Sequence, residues 1–417
     1  MIALAALSVP LAVLIGGYAE HAGGGDLVVK ADAAYLGGGR VVSPAHIVIR
    51  DGRIASISTG GSALSGVRVI ALENVTVTPG LIEAASRAGR IGSGVEEGEE
   101  ITPAVDVTPQ VDVTSDDFRV LRRSGVTTVY VGPSGRNVIG GAGAVFKTGS
   151  TRDGGVARRI EAPAMLCATM GSEPSSGNSS PWGGTPRFNT RRPTTRMGVV
   201  WAFRKAFYET KEDVARGREM DAAGLRLASV LDGKMPLRIR ARKETDVRTA
   251  VRLADELDLP PFVLVEGQEA FRAASLLGDR GVRCIVGPIR TYPHFDRISG
   301  DGEEAVLQSA TRLLGAGVTT ALSAGDSFRS EGLSVQGTFA RRHGMGLDDV
   351  VRATTSTPAA ILGLGGRLGS IELGMDGDLV IWNGEPFSAA ARPVVVVIEG
   401  NVVFEAPPAG SKQAEMK

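Results

Sequence analysis

The sequence predicts an α/β protein: a (β/α)8, TIM-type barrel carrying a small β-sandwich built from the N- and C-terminal segments. Three observations carry this expectation. Both ends of the chain read as short alternating strands with glycine turns, the long middle alternates apolar runs with helical segments, and the apolar runs there number eight. At 417 residues, 43% hydrophobic and 22% charged, the chain suffices for one large domain and a smaller one.

Residues 1–19 come first. Ile2 to Gly17 is an almost uncharged apolar run, shorter than the ~20 residues of a spanning helix. The small-x-small triplet Gly17-Tyr18-Ala19 follows it, so the segment reads as a signal-peptide core, although no Lys or Arg precedes it. The expectation is export to the periplasm or cell envelope, or a cytoplasmic location if the segment is no signal, with no stable membrane insertion beyond it.

Residues 26–78 hold LVVKADAAYL, then RVVSPAHIVIRDGRIASIS, then VRVIALENVTVTPG. Asp51-Gly52 between HIVIR and RIASI is a strong hairpin signal. Residues 371–407 repeat the character with DLVIWNG and PVVVVIEGNVVFE, the latter turning at Glu399-Gly400-Asn401. The two segments together make the expected sandwich, and residues 79–370 the barrel. Its expected strands are GLIEA, TTVYV, AVFK, AMLC, PLRIRAR, FVLVE, VRCIVG and TTALSA. Between them DDFRVLRRSG reads as a helix closed by a glycine, and ETDVRTAVRLADELDLP as a helix stopped before a double proline.

Other stretches are less regular. The Gly-, Ser- and Pro-rich stretch 171–196 is expected to be a long surface loop or lid, or else disordered. The glycines of 132–147 suit a loop more than a phosphate cradle, and the acidic run 95–106 lacks the spacing of a Ca²⁺ loop. Trp201, Phe203 and Phe207 are expected to form a core-facing helical stripe.

Lys+Arg and Asp+Glu both number 46, which leaves no net field to draw nucleic acid or acidic lipid. Cys167 and Cys284 form no CxxC pattern and are expected as two free thiols. A homo-oligomer stays open.

The entry IRDGRIASI, the turn TPGLIEA, RRSGVTTVYVGPSG, RIRARKETDVRTAVRLADEL and the closing STPAAILGLGGRLGSIELGMDGDLVIWNGEP together resemble the amidohydrolase superfamily, most of all its imidazolonepropionase-like and dihydroorotase-like branch. The similarity runs from about Asp26 to Glu405. It implies hydrolysis of a non-peptide C–N bond by a metal-activated water. In that family the strand ends supply two histidines after the first strand, often a lysine, further histidines and a late aspartate.

Here the first pair falls on Ala85 and Arg87, a fifth-strand His-x-His on Arg240-Ala241-Arg242, and a sixth-strand histidine on Glu266. Asp326 stands where the aspartate stands, and Lys147 is a weaker match for the lysine. The four histidines, His21, His46, His294 and His343, form no ligand pair. A guanidinium offers no lone pair, so no metal and no other cofactor is expected.

Residues two apart on a strand share a face, so Arg240 and Arg242 project together. Three readings stay open. Arg87, Lys147, Arg240 and Arg242 form a structural salt-bridge network with Glu266 and Asp326; or they bind an anionic small molecule; or Asp326 or Glu266 acts as general base in a metal-free hydrolase.

Overall fold

The computed structural model describes residues 25–61, 66–149, 155–162, 164–178, 191–290, 294–295, 302–303 and 306–407. The apolar N-terminal segment lies outside these residues, as do residues 179–190 of the stretch read as a lid.

The chain ends build two facing sheets. One has the order Arg53–Ser58, Ala45–Arg50, Leu27–Ala31, Arg68–Ala71. In its hairpin Asp51 and Gly52 take φ 50° and 76°, the left-handed pair that a tight two-residue turn requires. The other sheet runs Asn401–Glu405, Pro393–Ile398, Leu379–Trp382, Thr76–Pro79, Ala33–Tyr35, Val41–Val42. Its centre joins the two ends of the chain, with Leu379 opposite Pro79 and Trp382 opposite Thr76. Alternation sends Val29, Ile47, Ile49, Leu379, Ile381 and Val397 into one core between the sheets.

All eight runs expected in the middle form strands, but their ladders do not close into a ring. Ile139–Ala142, Leu166–Thr169, Leu237–Ala241, Val263–Glu266, Arg283–Val286 and Thr320–Leu322 form one sheet, parallel from Leu166 onward. Arg158–Ile160, Ala144–Lys147, Val126–Val131 and Leu81–Ser86 form a second. The structure is therefore mixed α/β with two middle sheets, where a closed eight-stranded ladder was expected. AVFK accounts for part of the difference. It pairs antiparallel with Val126–Val131, so it returns toward the start of that strand and does not open a new parallel one. The chain passes from the first sheet to the second across Gly143 alone.

The helices pack outside. Asp116–Arg123 starts on Ser115, whose side chain accepts from the Asp117 N–H, and ends before Gly125 at φ 86°. Glu244–Glu256 buries Val247, Ala250, Val251 and Leu253. On Arg196–Ala215, Phe203 and Phe207 are buried four residues apart, whereas Trp201, two residues before Phe203 and so on the far face, is 58% exposed. The expected aromatic stripe is thus two residues wide. Both cysteines are free. Among the described residues no helix is long and apolar enough to cross a membrane.

Candidate functional site

Five parallel strands and Leu81–Ser86 end on the same side, and the loops beyond them gather the charged residues there. Arg240 lies near the end of its strand, and Arg242 just past it on the same face. The next strand ends at Glu266, whose φ of 73° turns the chain sharply at its end.

Arg240 Nη1 sits 3.4 Å from Glu266 Oε1 and 3.3 Å from Glu173 Oε1. The Arg242 Nε donates to Glu266 Oε2, and its Nη2 lies 3.7 Å from Glu173. Two arginines and two glutamates thus form a crossed square. The Arg240 and Glu266 side chains are only 21% and 14% exposed, which shields their attraction from solvent. Burial alone would lower the Arg240 pKa, but Glu266, Glu173 and Asp326 outweigh it and raise it. Burial likewise pushes the Glu266 carboxyl up, and Arg240 and Arg242 pull it below the usual carboxylate range.

Arg87 and Asp326 meet beside this square, at 3.9 Å and both half exposed. Arg90 lies between the groups, donating to the Gly132 carbonyl at 2.9 Å; burial lowers its pKa while Asp326 opposes the shift. Five of the six charged residues anticipated for the mouth, Arg87, Arg240, Arg242, Glu266 and Asp326, lie at these strand ends. Lys147 does not. Its strand runs antiparallel, with Ala144 opposite Val131 and Lys147 opposite Thr128, so the side chain ends on the opposite floor. There it is fully buried, 3.1 Å from Asp376 and 2.5 Å from Asp378 beside the sandwich. This corrects its assignment to the mouth.

Sequence reasoning missed Glu173, hidden in a Gly/Ser/Pro-rich stretch that gives no pattern to read. It also missed Glu83, which the alternation Glu83-Ala85-Arg87 would have placed on the inner face. Glu83 is fully buried and accepts from the Ser323 hydroxyl at 2.5 Å, the Ala324 N–H at 2.7 Å and the Ala85 N–H at 3.0 Å. It thereby ties the first middle strand to the last, where no backbone ladder runs. Burial pushes its pKa up to about 7 despite those bonds.

Below the square, Ser86, Tyr130, Cys167, Thr169, Arg238 and Arg240 line a cavity of about 40 Å³. The Tyr130 hydroxyl is 3.2 Å from Cys167 Sγ, and the Arg238 guanidinium lies over the Tyr130 ring at 3.9 Å.

Parallel strands whose ends present one charged face, joined to a sandwich made by both chain termini, form a layout that this chain shares with a solved amidohydrolase. Residues 218–404, a little under half of the chain, match the amidohydrolase family model. It is similar to an amidohydrolase of Thermotoga maritima, 25% identical, with a TM-score of 0.77 over 91% of this chain and all of that one. A zinc-bound adenosine deaminase from Xanthomonas campestris shares the fold at 16% identity and a TM-score of 0.54, over 94% of this chain and 96% of that one. Amidohydrolase tasK of Hapsidospora irregularis is 24% identical over 76% of this chain. The chain spans about a third of that relative's length, 34%.

The resemblance to amidohydrolases implies a divalent metal at these strand ends. The donor set does not fit one. Ala85 offers a methyl group, Arg87, Arg240 and Arg242 offer protonated guanidinium groups, and both Glu266 oxygens already face those cations. Among the described residues no three His, Cys, Asp or Glu side chains are grouped to hold an ion.

Proposed function

We propose that this protein is an amidohydrolase relative whose metal site has been replaced by an arginine–glutamate cluster, and that it binds an anionic small molecule at the strand ends without turnover. The observation that carries this reading is the charge count. Among the described residues, Arg87, Arg90, Arg240, Arg242 and Arg290 act on Glu173, Glu266 and Asp326, five cations to three anions. The excess of cations and the exposure of the Arg87 pair suit a carboxylate or phosphate held by paired N–H bonds. In this reading the two middle sheets are the halves of one barrel, the sandwich is residues 26–78 plus 371–407, and the chain is exported.

A second reading, hydrolysis of a cyclic amide or acyl amino acid without metal, is narrowed by the geometry. Glu266 is locked between two arginines and is a poor base, which leaves the half-exposed Asp326, whose ion pair among the described residues is with Arg87 at 3.9 Å. It would take a proton from water while an arginine stabilises the oxyanion.

A thermal-shift screen over cyclic amides, acyl amino acids and dipeptides, repeated on Arg240→Ala, tests the first reading. A binder raises the melting temperature by mass action, and the variant should lose that response. If no anion stabilises the protein, or if Asp326→Asn abolishes a measured hydrolysis, the first reading falls.

A further inference from the structure

We propose that the cavity beneath Arg240 is a carboxylate pocket, in which Arg238 pairs with the carboxylate end of a short acyl chain. This names the ligand class of the site above and rests on its anion-binding reading.

Arg238 carries the argument. It is 3% exposed, yet among the described residues no carboxylate lies within ion-pairing distance. Its polar contacts are the Ala84 carbonyl at 2.7 Å, the Met165 sulfur at 3.9 Å and the Tyr130 ring face. Arg240, two residues on, has two glutamates, and the buried Lys147 has two aspartates. A desolvated cation without a counter-charge is costly, and a carbonyl and a ring offset that cost only in part. An anion in the adjoining cavity supplies the missing charge.

Size and lining choose the anion. About 40 Å³ is a few times the roughly 10–15 Å³ that a single water needs, enough for a carboxylate and a short carbon stub. Hydroxyls of Ser86, Thr169 and Tyr130 are donors along one wall, while Ala168 and Val265 give an apolar patch for the stub. Burial raises the Tyr130 pKa and keeps its hydroxyl protonated. A planar carboxylate also matches the guanidinium fork better than a tetrahedral phosphate does.

Cys167 supplies the readout, because it lines the cavity whereas Cys284 is fully buried. The rate of Cys167 modification by methyl methanethiosulfonate, followed by intact mass, is measured with propionate, phosphate and chloride at equal ionic strength. Propionate at ten times its Kd should slow modification roughly tenfold, by mass action. Arg238→Lys should weaken this protection and Arg238→Met should abolish it; the lysine variant decides if the methionine variant does not fold. The proposal is overturned by no protection from propionate, by equal protection from phosphate, or by protection that survives loss of Arg238. Thermal stabilisation that depends on Arg240 but leaves Cys167 unprotected sinks this proposal and spares the reading of the mouth. Loss of both effects sinks both.

Discussion

Two charge clusters at opposite ends of the middle sheets invite comparison. On the floor, Lys147, Arg158 and Arg367 meet Asp376, Asp378 and Glu399, three cations to three anions. Lys147 Nζ and both aspartates are almost wholly buried, and Arg367 Nε lies 2.9 Å from Asp376. At the mouth, among the described residues, Arg87, Arg90, Arg240, Arg242 and Arg290 act on three anions, and the outer pair is half exposed. Among the described residues the floor cluster is closed in charge and joins the C-terminal segment to the middle of the chain, whereas cations outnumber anions at the mouth. Charge closure, more than the residue types, separates a structural network from one with room for a ligand.

The largest expected effect is at the floor. Lys147→Met leaves Asp376 and Asp378 buried without their shared cation and should cost ~3–5 kcal/mol in urea unfolding. A loss below ~1 kcal/mol would mean that water reaches the cluster. Glu266→Gln at the mouth should cost less, on the order of 2 kcal/mol, because Glu173 still faces both arginines.

Acidity sharpens the comparison at the seam. The Glu83 pKa is about 7 in the folded chain, above its ordinary value of 4.5, so the folded state holds the proton more tightly. Its stabilising contribution is full below pH ~4.5 and is lost as pH rises through ~7, a change of roughly 3 kcal/mol at most. Glu83→Gln should flatten the unfolding free energy across that window; an unchanged slope would show that Glu83 is ionised in the folded protein. The smallest effect belongs to Arg87→Ala. An exposed pair at 3.9 Å should change stability by less than ~0.5 kcal/mol, while anion affinity measured by calorimetry falls.

Much of this was legible in particular residues. Asp51-Gly52 marked its hairpin, and VRVIALENVTVTPG and DLVIWNG marked strands that pair. The spacing of Arg240 and Arg242 placed both on one face, where Glu266 meets them. The same alternation through PLRIRAR put Arg238 on that face too, one step deeper, and was not followed far enough. Lys147 was misplaced because strand direction is a long-range property: AVFK reads alike whether it runs parallel or turns back through glycines. Glu173, in a stretch without periodicity, had no local signal.

The most direct test of the central claim, that an arginine–glutamate cluster stands where relatives hold a metal, is the metal content of the protein purified without added zinc, followed by Co²⁺ titration calorimetry of the parent and of a variant with Ala85, Arg87, Arg240 and Glu266 all changed to histidine. The expected result is no stoichiometric divalent ion and no Co²⁺ heat in the parent, with binding that appears in the folded quadruple variant and needs Asp326. One tightly held zinc per parent chain, lost in Asp326→Asn, would contradict it.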